Sequence, residues 1–188
     1  MKSILFFTAL AMTFWTCVSK DGSKGKSLYA SKMIEGSTGK KFFDYDEIEY
    51  WSNDFDGASV IDLYDNEFKS ELDSFRAGVI VGNIPKSISD LTFINKLGEI
   101  GYSKSYIDKS YFSSIDNIFI EKETKENVGT ACVYVFRDIL IFKKGRRVIG
   151  VAKVCLGCMG NKIIGTTAMT DNFGQDGDYK RLEGILRH

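Results

Sequence analysis

The sequence predicts an α+β domain in which helices are followed by an antiparallel β meander and a closing C-terminal helix. Three observations predict it. Apolar residues recur at helical spacing through the middle of the chain, at Ile88, Leu91, Ile94 and Leu97 and again at Ile107, Tyr111, Ile115 and Ile118. β-Branched and aromatic runs punctuated by turn residues fill 131–168. A last helical stripe, Tyr179, Leu182, Ile185 and Leu186, follows directly, where a sheet needs one face covered.

Each element has its own signal. Residues 47–52 and 59–64 read as strands. Phe68, Leu72 and Phe75, spaced i, i+4 and i+7, predict a short helix over 66–76. Pro85 suits a first helical turn and Gly101 a helix stop, which brackets the next helix. Another helix is expected from Ser103 or Ser105. Strands are expected at 131–136, 139–142, 147–155 and 162–168. The turns between them fall at Lys143-Lys144-Gly145-Arg146 and around Gly157, Gly160 and Asn161. Asp178 is the expected N-cap of the closing helix.

Composition narrows the function classes. The chain has 188 residues, 44% hydrophobic and 27% charged, which suits one folded domain rather than disorder. Lys plus Arg equals Asp plus Glu at 25 each, so the basic excess of a nucleic-acid binder is missing. The single histidine is His188, which removes mechanisms that need an interior one, including Ser-His-Asp and Cys-His pairs. Gly78, Gly82, Gly98 and Gly101 form neither a GxGxxG nor a P-loop pattern, so no nucleotide cofactor is implied.

The N-terminus reads as an address. Lys2 precedes an uncharged, mostly apolar run over 4–15, too short for a stable span of roughly 20 residues. That layout is a secretory signal peptide over 1–16. Cys17 directly follows. Residues 17–41 then carry six lysines, five serines and four glycines, a composition that reads as a flexible tether before a domain at 42–188.

Three candidate sites follow. Cys155 and Cys158 form a CxxC that reads as a structural disulfide or packed thiol pair; a redox dithiol and half a zinc site are the alternatives. A strand enters the motif and no helix N-terminus follows to stabilise a thiolate. Zinc would need about four ligands, and only Cys132 and His188 remain. Cys132, in an expected strand, reads as a buried free thiol. Residues 42–68 hold nine acidic residues, eight aromatics and no Lys or Arg. Within them Tyr50, Trp51, Asp54, Phe55 and Asp56 are the candidate interaction surface, for a protein or a glycan. The run 171–178 is rich in oxygen ligands but lacks EF-hand spacing, so no metal is expected there.

Phe14-Trp15-Thr16-Cys17 with its apolar run resembles the precursor of a bacterial lipoprotein of the Bacteroidetes type. The stretch from Cys132 through Cys155 and Cys158 to Phe173-Gly174-Gln175-Asp176-Gly177-Asp178-Tyr179 resembles small envelope lipoproteins of the same bacteria. The resemblance implies that Cys17 becomes the N-terminus and carries lipid on its sulfur and amine. It also implies the cell envelope as the location, at the outer membrane, with a periplasmic or secreted form as the alternative. The family carries no activity over. The function expected is a binding or interaction module displayed at the membrane. A thiol–disulfide oxidoreductase using Cys155 and Cys158 is the alternative, and a carbohydrate-binding protein the third reading.

Overall fold

In residues 47–52 the apolar Ile48 and Tyr50 alternate with Glu47 and Glu49, and the segment pairs on both sides. This is β1 (Glu47–Ser52), with Ile48 and Tyr50 on one face and Glu49 and Trp51 on the other. The computed structural model describes residues 39–123 and 132–188, all within the compact unit Glu35–His188.

The strand expected at 59–64 is instead part of α1 (Gly57–Asp65). The Asp56 carboxylate accepts from the amides of Ala58 and Ser59 at 2.8 and 3.1 Å, which closes the first turn. Val60 and Leu63, one turn apart, then face the core. The helix expected over 66–76 is α2 (Glu71–Ile80). It starts later because Ser70 accepts the Asp73 amide while its hydroxyl donates back to the Asp73 carboxylate. Pro85 does not open a helix. It lies in an irregular segment over 81–91, and only α3 (Thr92–Lys96) follows. Gly101, with φ 96°, ends that region as expected.

A second correction concerns Ser103–Tyr106, expected as a helix start and found as strand β2. It pairs antiparallel with β1, Trp51 opposite Lys104 and Glu49 opposite Tyr106. The Ile107 stripe begins after it and continues through a 3-10 turn, Lys109–Tyr111, into α4 (Phe112–Ile118). Residues 132–136 belong to no strand, against the expected one. The meander is β3 (Asp138–Lys144), β4 (Arg147–Cys155) and β5 (Gly160–Ile164), the last shorter than the expected 162–168. α5 (Asp178–Leu186) closes the chain. Its N-cap is Gly177, with φ 79°, and Asp178 is the first helical residue rather than the cap.

The five strands form one antiparallel sheet in the order β2-β1-β3-β4-β5. Both faces are covered, and the continuous apolar run Ile139–Phe142 of the central strand reflects that. Leu140 and Phe142 pack with Ile115 and Ile118 of α4 and with Tyr179, Leu182 and Leu186 of α5. Ile139 and Ile141 pack with Val60, Val79, Ile80 and Phe93 from α1, α2 and α3. Gly150 on β4 has no side chain because the Phe43 ring occupies that space, stacked on Phe142 at 4.4 Å.

The domain begins before residue 42. Lys41 bridges Ile120, Phe42 donates its amide to Phe119, and Glu121 donates its amide to Lys40. Lys40 and Lys41, assigned to the tether, are therefore held against the domain. The rest of the tether, the signal peptide and Cys17 lie outside the described residues.

Leu182 of α5 has no exposed surface. Leu182→Ala should lower unfolding free energy by about 3 kcal/mol. Urea denaturation checks this, and an effect within about 0.5 kcal/mol would place the helix outside the core.

Candidate functional site

The five residues of the expected interaction surface do not share a face. Tyr50 and Trp51 are neighbours in β1 and point to opposite sides of the sheet. Tyr50 is buried, and its hydroxyl donates to Asp138 at 2.6 Å. Arg187 reaches the same carboxylate at 2.9 Å. Burial pushes the Tyr50 phenol and the Asp138 carboxyl up, the latter against the pull of Tyr50 and Arg187. Trp51 is half-buried beside Glu49, a buried carboxylate bound by Lys104 at 2.6 Å and by Lys143. Burial alone would raise Glu49; the two lysines hold it below the usual carboxylate range. Phe55 is half-buried, with the Arg76 guanidinium 4.4 Å over its ring. Asp56 caps α1. Asp54 is exposed. The aromatics of this group therefore build the scaffold, and the acids alone face solvent.

The cysteines also differ from expectation. The disulfide joins Cys132 to Cys158, with Cα atoms 6.0 Å apart, and Cys155 is the free, buried thiol. Cys132 is neither buried nor in a strand. Sequence spacing favoured the CxxC pair, but Cys155 ends β4 opposite Gly160 while Cys158 sits in the turn beyond it. The bridge ties 132–136 to the β4–β5 turn. With Cys158 bonded to Cys132, the CxxC is not a dithiol, and no helix follows Cys155. Replacing Cys132 and Cys158 together by Ser should cost about 3 kcal/mol, the loop-closure value for residues 26 apart. Urea unfolding with and without reductant checks it; identical curves would show that the bridge contributes nothing.

Four exposed apolar side chains lie on the α1–α2 hairpin, while Tyr106, Val133, Tyr134, Met159 and Met169 are exposed on other parts of the domain. Phe68 is 91% exposed, Tyr64 61%, Ile61 60% and Leu72 46%. They stand outside because Val60, Leu63, Phe75, Val79 and Ile80 fill the inner faces of the same two helices. The sequence stripe Phe68, Leu72 and Phe75 is thus split: Phe75 turns inward, and Phe68 precedes the helix. Solvent does not favour large apolar groups clustered over so short a stretch.

Other features are already satisfied. A shallow concavity of about 280 Å³ is lined by Phe43, Tyr45 and Phe112. The Lys41–Asp116 ion pair at 2.6 Å closes on itself at its rim. At the β3–β4 turn Lys144 meets Asp44 at 2.9 Å. Among the described residues no group of three or more His, Cys, Asp or Glu is placed to hold a metal ion. Among them no helix is long and apolar enough to cross a membrane.

Compared with protein-family models, characterised proteins and solved structures, the chain finds no match in any of the three.

Proposed function

We propose that this protein is exported, held at the cell envelope by lipid on Cys17, and acts there as an interaction module that docks a partner on its α1–α2 hairpin. The observation that carries the docking surface is the exposure of Ile61, Tyr64, Phe68 and Leu72 on two consecutive helices and the turn between them, the helices' inner faces being already packed. A folded domain leaves single apolar residues in water, but a set of four within one hairpin marks a contact surface. The anchor is supported by the short apolar run ending at Cys17.

Two measurements test the two parts. Mass spectrometry of the protein isolated from its own envelope should show an acylated N-terminal Cys17; an unmodified N-terminus beginning after Ser19 overturns the anchor. Photocrosslinking residues placed at 64 and 72 should give a discrete adduct in the native envelope. An adduct from position 169, where the exposed Met169 lies outside the hairpin, with none from 64 or 72, overturns the docking surface.

A further inference from the structure

We infer that the partner of the α1–α2 hairpin is a cationic, amphipathic protein segment. This deepens the docking reading and rests on it. The chain as a whole is neutral, yet residues 54–80, through the end of α2, contain seven acidic residues and two bases; Arg76 lies over the Phe55 ring, and the other base is Lys69. That base is turned inward on the hairpin's own backbone: its Nζ donates to the Tyr64 carbonyl at 2.7 Å and to the Asn66 carbonyl. It therefore closes the turn between the helices instead of neutralising their surface. Among the described residues, Asp54, Asp62, Asp65, Glu67 and Glu71 have no ion-pair partner. Two of them, Asp65 and Glu67, lie in sequence between the exposed Tyr64 and Phe68. Elsewhere on the domain Glu49, Asp116, Asp138 and Asp178 each hold a lysine or arginine, whereas among the described residues Asp90, Glu99 and Asp171 hold none, so what marks the hairpin is the density of its unpaired acids.

Exposed apolar residues interspersed along one hairpin with unpaired carboxylates select their occupant by charge. A second copy of this hairpin would bring acid against acid. An anionic lipid surface would be repelled for the same reason. A segment with apolar residues along one face and lysine or arginine beside them satisfies both halves: its apolar side chains cover Ile61, Tyr64, Phe68 and Leu72, and its cations meet the flanking carboxylates.

The test uses the full mature chain and two synthetic amphipathic helical peptides, one of leucine and lysine and one with every lysine replaced by glutamine. Fluorescence anisotropy should show the lysine peptide binding at least tenfold tighter than the glutamine peptide, with affinity falling as salt rises. Ile61→Ser with Phe68→Ser should weaken it at least tenfold, and so should Asp62→Asn with Asp65→Asn and Glu67→Gln. These positions are exposed, and circular dichroism confirms that each variant is folded. The acids Asp171→Asn and Glu183→Gln, in α5 and the loop before it on the opposite face of the sheet, should leave binding unchanged. Equal binding of both peptides, lost with the Ile61 and Phe68 variant, overturns the cationic partner and leaves the docking surface standing. Failure of the lysine peptide to bind overturns the cationic partner, and crosslinking from 64 and 72 then decides the docking surface separately. Lysine-peptide binding that ignores Ile61 and Phe68 but responds to Asp171 and Glu183 overturns both.

Discussion

Lys153→Met should destabilise the domain by about 4 kcal/mol at pH 8, because one buried amino group caps a helix and holds the segment after it. Lys153 sits on β4 with no exposed surface, and its Nζ donates to the carbonyls of Val79, Gly82 and Ile84 at 2.6, 3.0 and 2.8 Å. α2 ends at Ile80, so its last four carbonyls need partners from outside the regular helix. Ala77 accepts from Val81 and Gly82, Gly78 accepts from Ile84, and Ile80 accepts from Phe136. Among the described residues Val79 has only Lys153. Methionine keeps the volume and the contact with Phe136, whose ring lies 4.4 Å from the lysine nitrogen, but donates nothing. Three carbonyls then lose their donor, at about 1–3 kcal/mol for each that stays buried. Lys162, the cross-strand neighbour on β5, donates to the Asn83 carbonyl at 2.8 Å but is only half-buried. Water can replace it, so Lys162→Met should cost under about 1 kcal/mol. Urea denaturation of the two variants decides; equal effects would show that the burial of Lys153 does not matter.

The same residue sets a pH dependence. Burial, helped by the Lys162 ammonium, pushes Lys153 down to about 7, against an unfolded-chain value of about 10.4. Between those values the unfolded chain binds a proton that the folded domain has released. Stability therefore rises with pH across that window, and below about pH 7 the full penalty of burying the charge is present. Lys153→Met removes this slope. The gap between the parent protein and the variant should widen from pH 6 to pH 9.5, and a gap that is constant or narrows contradicts the shift.

How far the sequence reaches depends on the range of the forces involved. β1 and β4 have the boundaries expected, because alternation, or a β-branched run next to a Gly145 turn, is decided within the segment. α5 follows from a stripe within nine residues. The misassigned elements depended on partners far away. Residues 103–106 became a strand because the edge of β1 was open to them, some fifty residues upstream. α1 carries Val60 and Ile61, which suit a strand as well as a helix, and the Asp56 cap with the inward demand of Val60 and Leu63 settled it. Cys132 and Cys158 pair across 26 residues, which CxxC spacing cannot reveal. The acidic character of 42–68 was legible, but its aromatics had to be sorted into those the sheet buries and those α1 and α2 leave outside. That sorting needs the helix start at Glu71, which puts Phe68 in solvent.

Asp178→Ala should cost about 3–5 kcal/mol, chiefly through the lysine it strands. Asp178 has no exposed surface, and its carboxylate pairs with Lys122 and Arg181 and accepts the Gly174 amide at 3.2 Å. Lys122 is itself nearly buried; its Nζ also donates to the Ile118 carbonyl at the end of α4, and its own carbonyl accepts from Asn172. One carboxylate thus joins the end of α4, the loop before α5 and the first turn of α5. Burial already pushes Lys122 down, with Asp178 opposing that shift, so removing the carboxylate leaves the ammonium with desolvation and little in return. If that is the source of the loss, Lys122→Met in the Asp178→Ala background should restore part of it, since an apolar side chain carries no charge to strand. The double variant should therefore be more stable than Asp178→Ala alone, a coupling read directly from denaturation of the two single variants and the double. Losses that simply add would refute the pairing. The cluster and the α1–α2 hairpin belong to different cores on opposite faces of the sheet, so folded Asp178→Ala protein should bind the lysine peptide with unchanged affinity.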